Sequence, residues 1–442
     1  MSINEKQKKV LVITYYWPPA GGISVLRSLK IVKYLRDFGW EPIVFTHQNP
    51  QYPLIDHSNF KDIPDDVTVL KKGAIEPFEL FKKITGRRKD DSLQNILYIG
   101  DKKQSWSEKL AIWLRGNFFI PDARALWIGP SVRYLTKYLK ENPVDAIFSD
   151  GPPHTNTLIA CRVSKITNIP WLADFQDPWT QVDYYKDFMI SKWADRWHKK
   201  LEQECFRQSD KITIVTESWK RDLESIGANN VSVIPWGYDE EDYVGIERKL
   251  SEKFTISHTG ILGVDRISEP LFKALSDLCD EVPGFRDNLQ VKLIGAVDYH
   301  LQEIVNSYGL DGAVEIMKHI PRKQVLSEIF NSQVLLLLIN KSHNAKGRMP
   351  AKLFEYLRAA RPILCLGDTD SDCSKILSTT NSGVTYGYDD YNGLKKALKD
   401  YYTRFLQREL EIDQKNIGDF SIRKLTGTIA GYLEEISRRE ND

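Results

Sequence analysis

The feature that most limits what this chain can fold into is an alternation, run twice. Short runs rich in β-branched residues alternate with stretches of helical periodicity along the whole length. In the first series the strand-like runs are residues 10–14, 42–47, 145–149, 171–174, 211–216 and 231–234, with helical patterns at 24–38, 125–140, 154–165 and 187–206. The second series places strands at 254–257, 290–294, 313–316, 334–339, 362–366 and 383–386, with helices at 269–279, 299–307, 322–330, 350–360 and 392–405. Strands joined through helices need crossover connections, which predicts parallel sheets covered by helices on both faces. Between the two series lies Pro235-Trp236-Gly237-Tyr238-Asp239, a segment of turn chemistry that puts the domain boundary between residues 236 and 237. A chain of 442 residues also exceeds the roughly 250–300 residues that one core serves. The expectation is an α/β protein of two doubly wound domains, with ligands in a cleft lined by the carboxyl ends of both sheets.

Charge and cysteine content narrow the class. The 61 basic and 60 acidic side chains leave a net charge of +1, without the basic excess of a general nucleic-acid binder. The five cysteines are scattered and contain no CxxC pair, which argues against a disulfide framework or a zinc site and fits a reducing cytoplasm. The longest apolar run, 334–339, is the length of a strand and far too short to span a bilayer. Residues 78–121 break the rhythm. They carry Lys82, Lys83, Arg87, Arg88 and Lys89, then Trp106, Leu110, Trp113 and Leu114 on one face of a helix. That face has two readings: a packing face inside an insertion, or a surface helix that meets anionic lipid through residues 82–119.

Two motifs carry chemistry. Tyr15-Tyr16-Trp17-Pro18-Pro19-Ala20-Gly21-Gly22 joins the first strand to the first helix, and Gly21 and Gly22 would let backbone approach a ligand. It is not GxGxxG, and no acid ends the second strand, which disfavours a dehydrogenase. Gly347-Arg348-Met349-Pro350-Ala351-Lys352-Leu353-Phe354-Glu355 follows the apolar strand 334–339. Pro350 suits a first helical turn. The amides beyond it, with Lys352 and Arg348, would face a diphosphate, and Glu355 could accept hydrogen bonds from two ribose hydroxyls. The ordinary alternative is an amphipathic helix with exposed Lys and Glu. Asp368, Asp370 and Asp372 form overlapping DxD patterns, which read as helix capping rather than a metal site. Asp150, Asp174 and Asp177 end strands, where turn and N-cap chemistry suits aspartate as well as a role at the cleft does, and His154 follows two prolines at a strand end, where a lone histidine is more often a cap or packing residue than a catalyst.

The run Lys352 to Pro362, the glycine loop after the first strand, and Val233-Ile234-Pro235-Trp236-Gly237-Tyr238-Asp239 together resemble GT-B glycosyltransferases of family 4. Ser149-Asp150-Gly151-Pro152-Pro153-His154 and Ala173-Asp174-Phe175-Gln176-Asp177-Pro178-Trp179 resemble a subgroup from bacterial surface-polysaccharide clusters. The resemblance implies two Rossmann-like domains, an acceptor-binding one over 1–236 and a nucleotide-sugar-binding one over 237–419, with a C-terminal helix of about 420–442 packed back on the first. It implies retaining sugar transfer from a nucleotide-sugar donor to a glycan or lipid-linked acceptor, with no metal and no separate cofactor, in the cytoplasm or at the inner membrane face. Glu355 matches the second acid of the family's E-x7-E motif, whereas the first falls on Gly347. Gln176 stands where the family often has a histidine, flanked by Asp174 and Asp177. Arg266 and Lys352 match the basic pair that holds the diphosphate, and His154 is a candidate on the acceptor side. A sugar-nucleotide epimerase of the same fold and a non-catalytic nucleotide-sugar-binding protein are the rival readings.

Overall fold

The computed structural model describes residues 7–74, 106–318 and 320–438. The chain divides into two compact units, one comprising residues 7–74, 106–236 and everything from Ile422 on, the other Gly237–Ser421.

The first unit is built on a seven-stranded parallel sheet in the order β3-β2-β1-β4-β5-β6-β7. Its strands are β1 (Lys8–Ile13), β2 (Trp40–His47), β3 (Thr68–Lys72), β4 (Ala146–Gly151), β5 (Trp171–Phe175), β6 (Lys211–Ile214) and β7 (Val231–Val233). Leu11 lies opposite Ile43 on one side and Ile147 on the other. Alternate side chains of β1 serve opposite faces, as the period of two requires. Leu11 and Ile13 join one apolar core and Val10 and Val12 another. The helices are α1 (Ile23–Leu35), α2 (Trp106–Phe118), α3 (Ile128–Glu141), α4 (His154–Thr167), α5 (Lys192–Gln208) and α6 (Glu217–Ser225).

The second unit carries a six-stranded parallel sheet in the order β10-β9-β8-β11-β12-β13. Its strands are β8 (Phe254–Thr259), β9 (Leu289–Ile294), β10 (Val314–Met317), β11 (Val334–Leu338), β12 (Ile363–Leu366) and β13 (Gly383–Tyr386). Its helices are α7 (Glu269–Glu281), α8 (Phe285–Asn288), α9 (His300–Ser307), α10 (Arg322–Asn331), α11 (Lys352–Ala359), α12 (Asp372–Thr379) and α13 (Tyr391–Gln407). Val334, Leu336 and Leu338 pack with Leu271, Leu275, Leu394 and Leu398 in one core. The last helix, α14 (Ile422–Arg438), belongs to the first unit, where Ile422, Leu425, Ile429, Leu433 and Ile436 pack with Val25, Leu29 and Val32 of α1.

Several boundaries differ from the sequence reading for identifiable reasons. The helix expected at 24–38 ends at Leu35 and tightens into a 3₁₀ turn, Arg36–Phe38, before Gly39 at φ 80°. The helix expected at 187–206 starts at Lys192, because Ser191 caps it by accepting the Ala194 amide at 3.2 Å. Strand β3 and helix α6 are additions. β3 has no fully buried residue, and α6 has only three, so neither has a continuous apolar stripe to announce it.

In both sheets the strand order reverses once, between β1 and β4 in the first and between β8 and β11 in the second. Chains leave such a pair on opposite faces, which opens a crevice at the carboxyl ends of the two strands.

Candidate functional site

The second unit's reversal point collects cations around glycine. β8 ends at Thr259, followed by Gly260 at φ 105°, and β9 is followed by Gly295 at φ 133°. A β-carbon on Gly295 would lie 2.4 Å from the Gly260 carbonyl oxygen, and one on Gly260 would lie 2.7 Å from the Lys352 ammonium. Only glycine permits this close approach. The Lys352 ammonium donates to the Thr259 carbonyl, and the Thr259 amide donates to Tyr356 Oη at 3.0 Å. These two bonds fasten the first turns of α11 to the end of β8. Burial, and then Arg266, push the Lys352 pKa down to about 7, while Glu355 works against them. Arg266 donates to the Ile261 carbonyl at 3.0 Å, and its Nε is buried without a hydrogen-bond partner.

Glu355 has a partner that the sequence did not suggest. Arg322, at the start of α10, donates to its carboxylate at 2.7 Å and to Asp242 at 3.3 Å. Nothing in the sequence marks Arg322, because the pairing joins two helices 33 positions apart. The helix start offers less than expected. The Leu353 and Phe354 amides already donate to the Pro350 and Ala351 carbonyls, so anion binding there falls on the cations more than on free amides. Arg348 is half-buried in the same loop, where its carbonyl accepts from the Cys373 thiol at 3.2 Å. Gly347 closes a 3₁₀ turn just before it.

The first unit's reversal point is a buried polar web. Asp150, at the end of β4, accepts from Ser28 at 2.5 Å, Thr14 at 2.9 Å and Asn156 at 2.7 Å. Burial outweighs these three donors and raises its pKa to about 7. Asp174, at the end of β5, takes two bonds from the Arg27 guanidinium, at 2.6 and 2.9 Å, and one from Thr213 at 2.7 Å. With side-chain exposures of 1% and 0%, that ion pair is internal.

The proposed roles of three first-unit residues are corrected by this geometry. Asp174 ties α1 to β5 and β6, so its carboxylate is spent on Arg27 rather than presented to a substrate. His154 stacks on Trp179 at 4.7 Å and 5°, and burial, then His198, depress its pKa to about 3, so it is a neutral packing ring at physiological pH. Gly21 donates its amide to the Leu54 carbonyl at 2.8 Å, and a β-carbon there would meet Leu54 at 2.9 Å. The chain itself, through Leu54, covers the glycine that was expected to meet a ligand; Gly22 sits at the N-cap of α1 beside it.

Gln176 is buried, with one side-chain donor unspent. Its backbone donates to the Gly151 carbonyl at 2.7 Å, and its side-chain Nε2 is buried without a partner. Asp177 beside it is half-buried. In the DxD run the cap of α12 is Ser371, which accepts the Ser374 amide at 3.2 Å, while Asp370 pairs with Lys346 at 3.0 Å.

The helix with the aromatic face also differs from its packing reading. Among the described side chains of α2, Ile112, Gly116 and Asn117 are buried, whereas Leu110, Trp113 and Leu114 are exposed. α2 packs on α5 and on the turn Asp183–Phe188. Phe118, Met189, Trp193 and Trp197 are exposed on the same three elements. The basic cluster 82–89 lies outside the described residues. Among the described residues no helix is long and apolar enough to cross a membrane.

Two tandem parallel sheets, each with one order reversal, define the GT-B class of two Rossmann-like domains, and comparison with solved structures agrees. HepE from Anabaena, solved with UDP, superposes with a TM-score of 0.54 at 12% identity over 98% of each chain. The lipopolysaccharide outer core galactosyltransferase WaaB gives 0.53 at 13% identity, over 96% of this chain and 99% of that one. A UDP-N-acetylglucosamine 2-epimerase from Listeria monocytogenes, described as putative, gives 0.55 at 11% identity, over 99% and 98%. Residues 96–242 match the family model described as Glycosyltransferase Family 4. A search of curated proteins finds no match.

Proposed function

We propose that this protein is a retaining, metal-independent glycosyltransferase that moves a sugar from a nucleoside diphosphate donor to a glycan or lipid-linked acceptor of the cell envelope. The observation that carries the reading is Lys352, a half-buried lysine whose ammonium packs on Gly260 beside Arg266 at the glycine-lined reversal point of the second sheet. A site that has desolvated its own cation gains most when a ligand brings negative charge. A diphosphate fits that need, and its charge grows as the sugar departs. Arg348 flanks it, and Glu355, held by Arg322, takes the ribose hydroxyls. Retention follows from the family resemblance, as does the absence of a metal. HepE, which has the same fold, was solved with UDP.

We place the enzyme at the cytoplasmic face of the membrane, on the support of the exposed aromatic surface of α2 and α5. The test of function is transfer from a panel of UDP-, GDP-, dTDP- and ADP-sugars by the wild type and by Lys352→Met. At least one donor is expected to bind and be consumed by the wild type, with tenfold or greater loss of affinity in the variant. Equal donor affinity in the two proteins would remove Lys352 from the site. The same incubation without acceptor separates the rival reading, since an epimerised donor there would make the protein an isomerase.

A further inference from the structure

Two arginines of the first unit, Arg27 and Arg124, are treated very differently. Arg27 is completed: a carboxylate on two of its nitrogens and the carbonyls of Ile234 and Pro235, each at 2.9 Å. This is how a guanidinium is satisfied when its role is structural. Arg124 has none of this. Its guanidinium lies 4.5 Å from the Tyr15 ring centroid and 5.7 Å from that of Tyr16. Its side chain donates to Tyr16 Oη at 3.3 Å and hydrogen-bonds Tyr15, Asp122 acts on it only through its charge, and its Nε is buried with no hydrogen-bond partner. Among the described residues no carboxylate forms an ion pair with it. The nearest acid in sequence, Asp122, is occupied otherwise: it accepts the Thr155 amide and hydroxyl, each at 2.8 Å, and the backbone amide of Arg124 at 2.9 Å.

Position matters as much as the missing partner. Tyr15 and Tyr16 follow β1, and Asp122 fastens the Arg124 turn to the first turn of α4, which follows β4. Arg124 is therefore hung on the reversal point of the first sheet, where doubly wound sheets bind ligands. A fully buried tyrosine ring fixes one face of the guanidinium, and the five N–H donors of its planar fork meet tyrosine hydroxyls and no carboxylate at ion-pair distance among the described residues. An oxyanion takes such a fork in a bidentate way.

We propose that Arg124 is the acceptor-binding residue for an anionic group, a phosphate, diphosphate or uronate carboxylate, carried by the molecule that receives the sugar. This rests on the glycosyltransferase reading above, and it adds that the acceptor is charged next to its reacting end. The tyrosines position the guanidinium; Arg124 itself makes the contact.

The experiment uses the full chain as wild type, Arg124→Gln and Arg124→Lys. Each protein is first titrated with UDP, then saturated with it, and then titrated calorimetrically with inorganic pyrophosphate, phosphate and glucuronate. The wild type is expected to bind at least one of the three. Affinity should fall tenfold or more in Arg124→Gln and by less in Arg124→Lys, with UDP affinity equal in all three proteins as proof of an intact fold. A preference for pyrophosphate or phosphate identifies a phosphorylated acceptor, and a preference for glucuronate identifies an acidic sugar. Oxyanion affinity that is the same in wild type and Arg124→Gln overturns the proposal, as does a wild type that binds none of the three. Should UDP bind none of the proteins, the donor reading fails by itself, and the Arg124 comparison is read from the same oxyanion titrations without UDP. If Arg124→Gln does not fold, Arg124→Lys decides, because it keeps the charge and loses the fork.

Discussion

Arg27 and Lys352 show how burial gives one charge a structural part and another a chemical one. Arg27 meets a carboxylate and two carbonyls inside the first unit, so removing its side chain strands Asp174 as an uncompensated internal charge. Arg27→Ala is expected to cost about 3–5 kcal/mol of stability, measured by denaturant unfolding. A cost under about 1 kcal/mol would show the pair to be dispensable. Lys352 meets only a carbonyl, and its pKa falls to about 7. An unfolded lysine titrates near 10.5, so between these values the unfolded chain holds more protons and the residue's penalty fades as pH rises. A bound diphosphate reverses the preference, because it favours the ammonium. Donor affinity is therefore expected to be highest below about pH 7 and to fall as pH rises towards 9, with Lys352→Met flattening the profile in a UDP titration. An affinity that climbs with pH would contradict the assignment.

At the scale of elements, α14 is the clearest case of a segment whose role comes from what it covers. Ile422, Leu425, Ile429, Leu433 and Ile436 recur at helical spacing and are all nearly inaccessible against α1. At about 1.5–3 kcal/mol for each buried aliphatic side chain, their removal withdraws roughly 8–15 kcal/mol from the first unit. That is the size of a whole domain's net stability. A chain ending at Ser421 is expected to be insoluble or unfolded by circular dichroism, and a soluble, cooperatively melting truncation would refute the estimate. The stripe in α2 shows the opposite outcome for a similar pattern. Leu110, Trp113 and Leu114 have the spacing of a packing face, yet α2 turns Gly116 inward because a β-carbon there would lie 2.7 Å from the Phe188 carbonyl oxygen. Periodicity tells which residues share a face; only the neighbouring turn decides which face goes in.

On the scale of the whole molecule, exposed aromatics gather on one part of the first unit's surface. Trp193 is 62% exposed, Trp197 41% and Phe118 64%, with Lys192, Arg196, Lys199 and Lys200 on the same stretch of α5. Tryptophan beside lysine and arginine suits the boundary between lipid tails and anionic headgroups. The protein is expected to co-sediment with vesicles containing phosphatidylglycerol, and the double variant Trp193→Ala, Trp197→Ala to lose most of that binding while keeping its UDP affinity. Equal sedimentation of both proteins would remove the patch as the contact.

The twofold βα alternation determined the architecture, because hydrophobic periodicity and short β-branched runs act locally and are written in the order of residues. Strand order, and with it the two reversal points, was set by the tertiary structure, since the alternation makes strands parallel without ordering them. Tertiary structure decided which residues remain available there. Asp174 and His154 looked like site residues from their place at strand ends, and were withdrawn by partners far along the chain, Arg27 and Trp179. Arg322 and Arg124 carried no local signal, because their meaning lies in what stands opposite them, a carboxylate for one and tyrosine rings for the other. Whether a charge is spent or left available depends on groups brought together across space, and that pairing is fixed only when the sheets close.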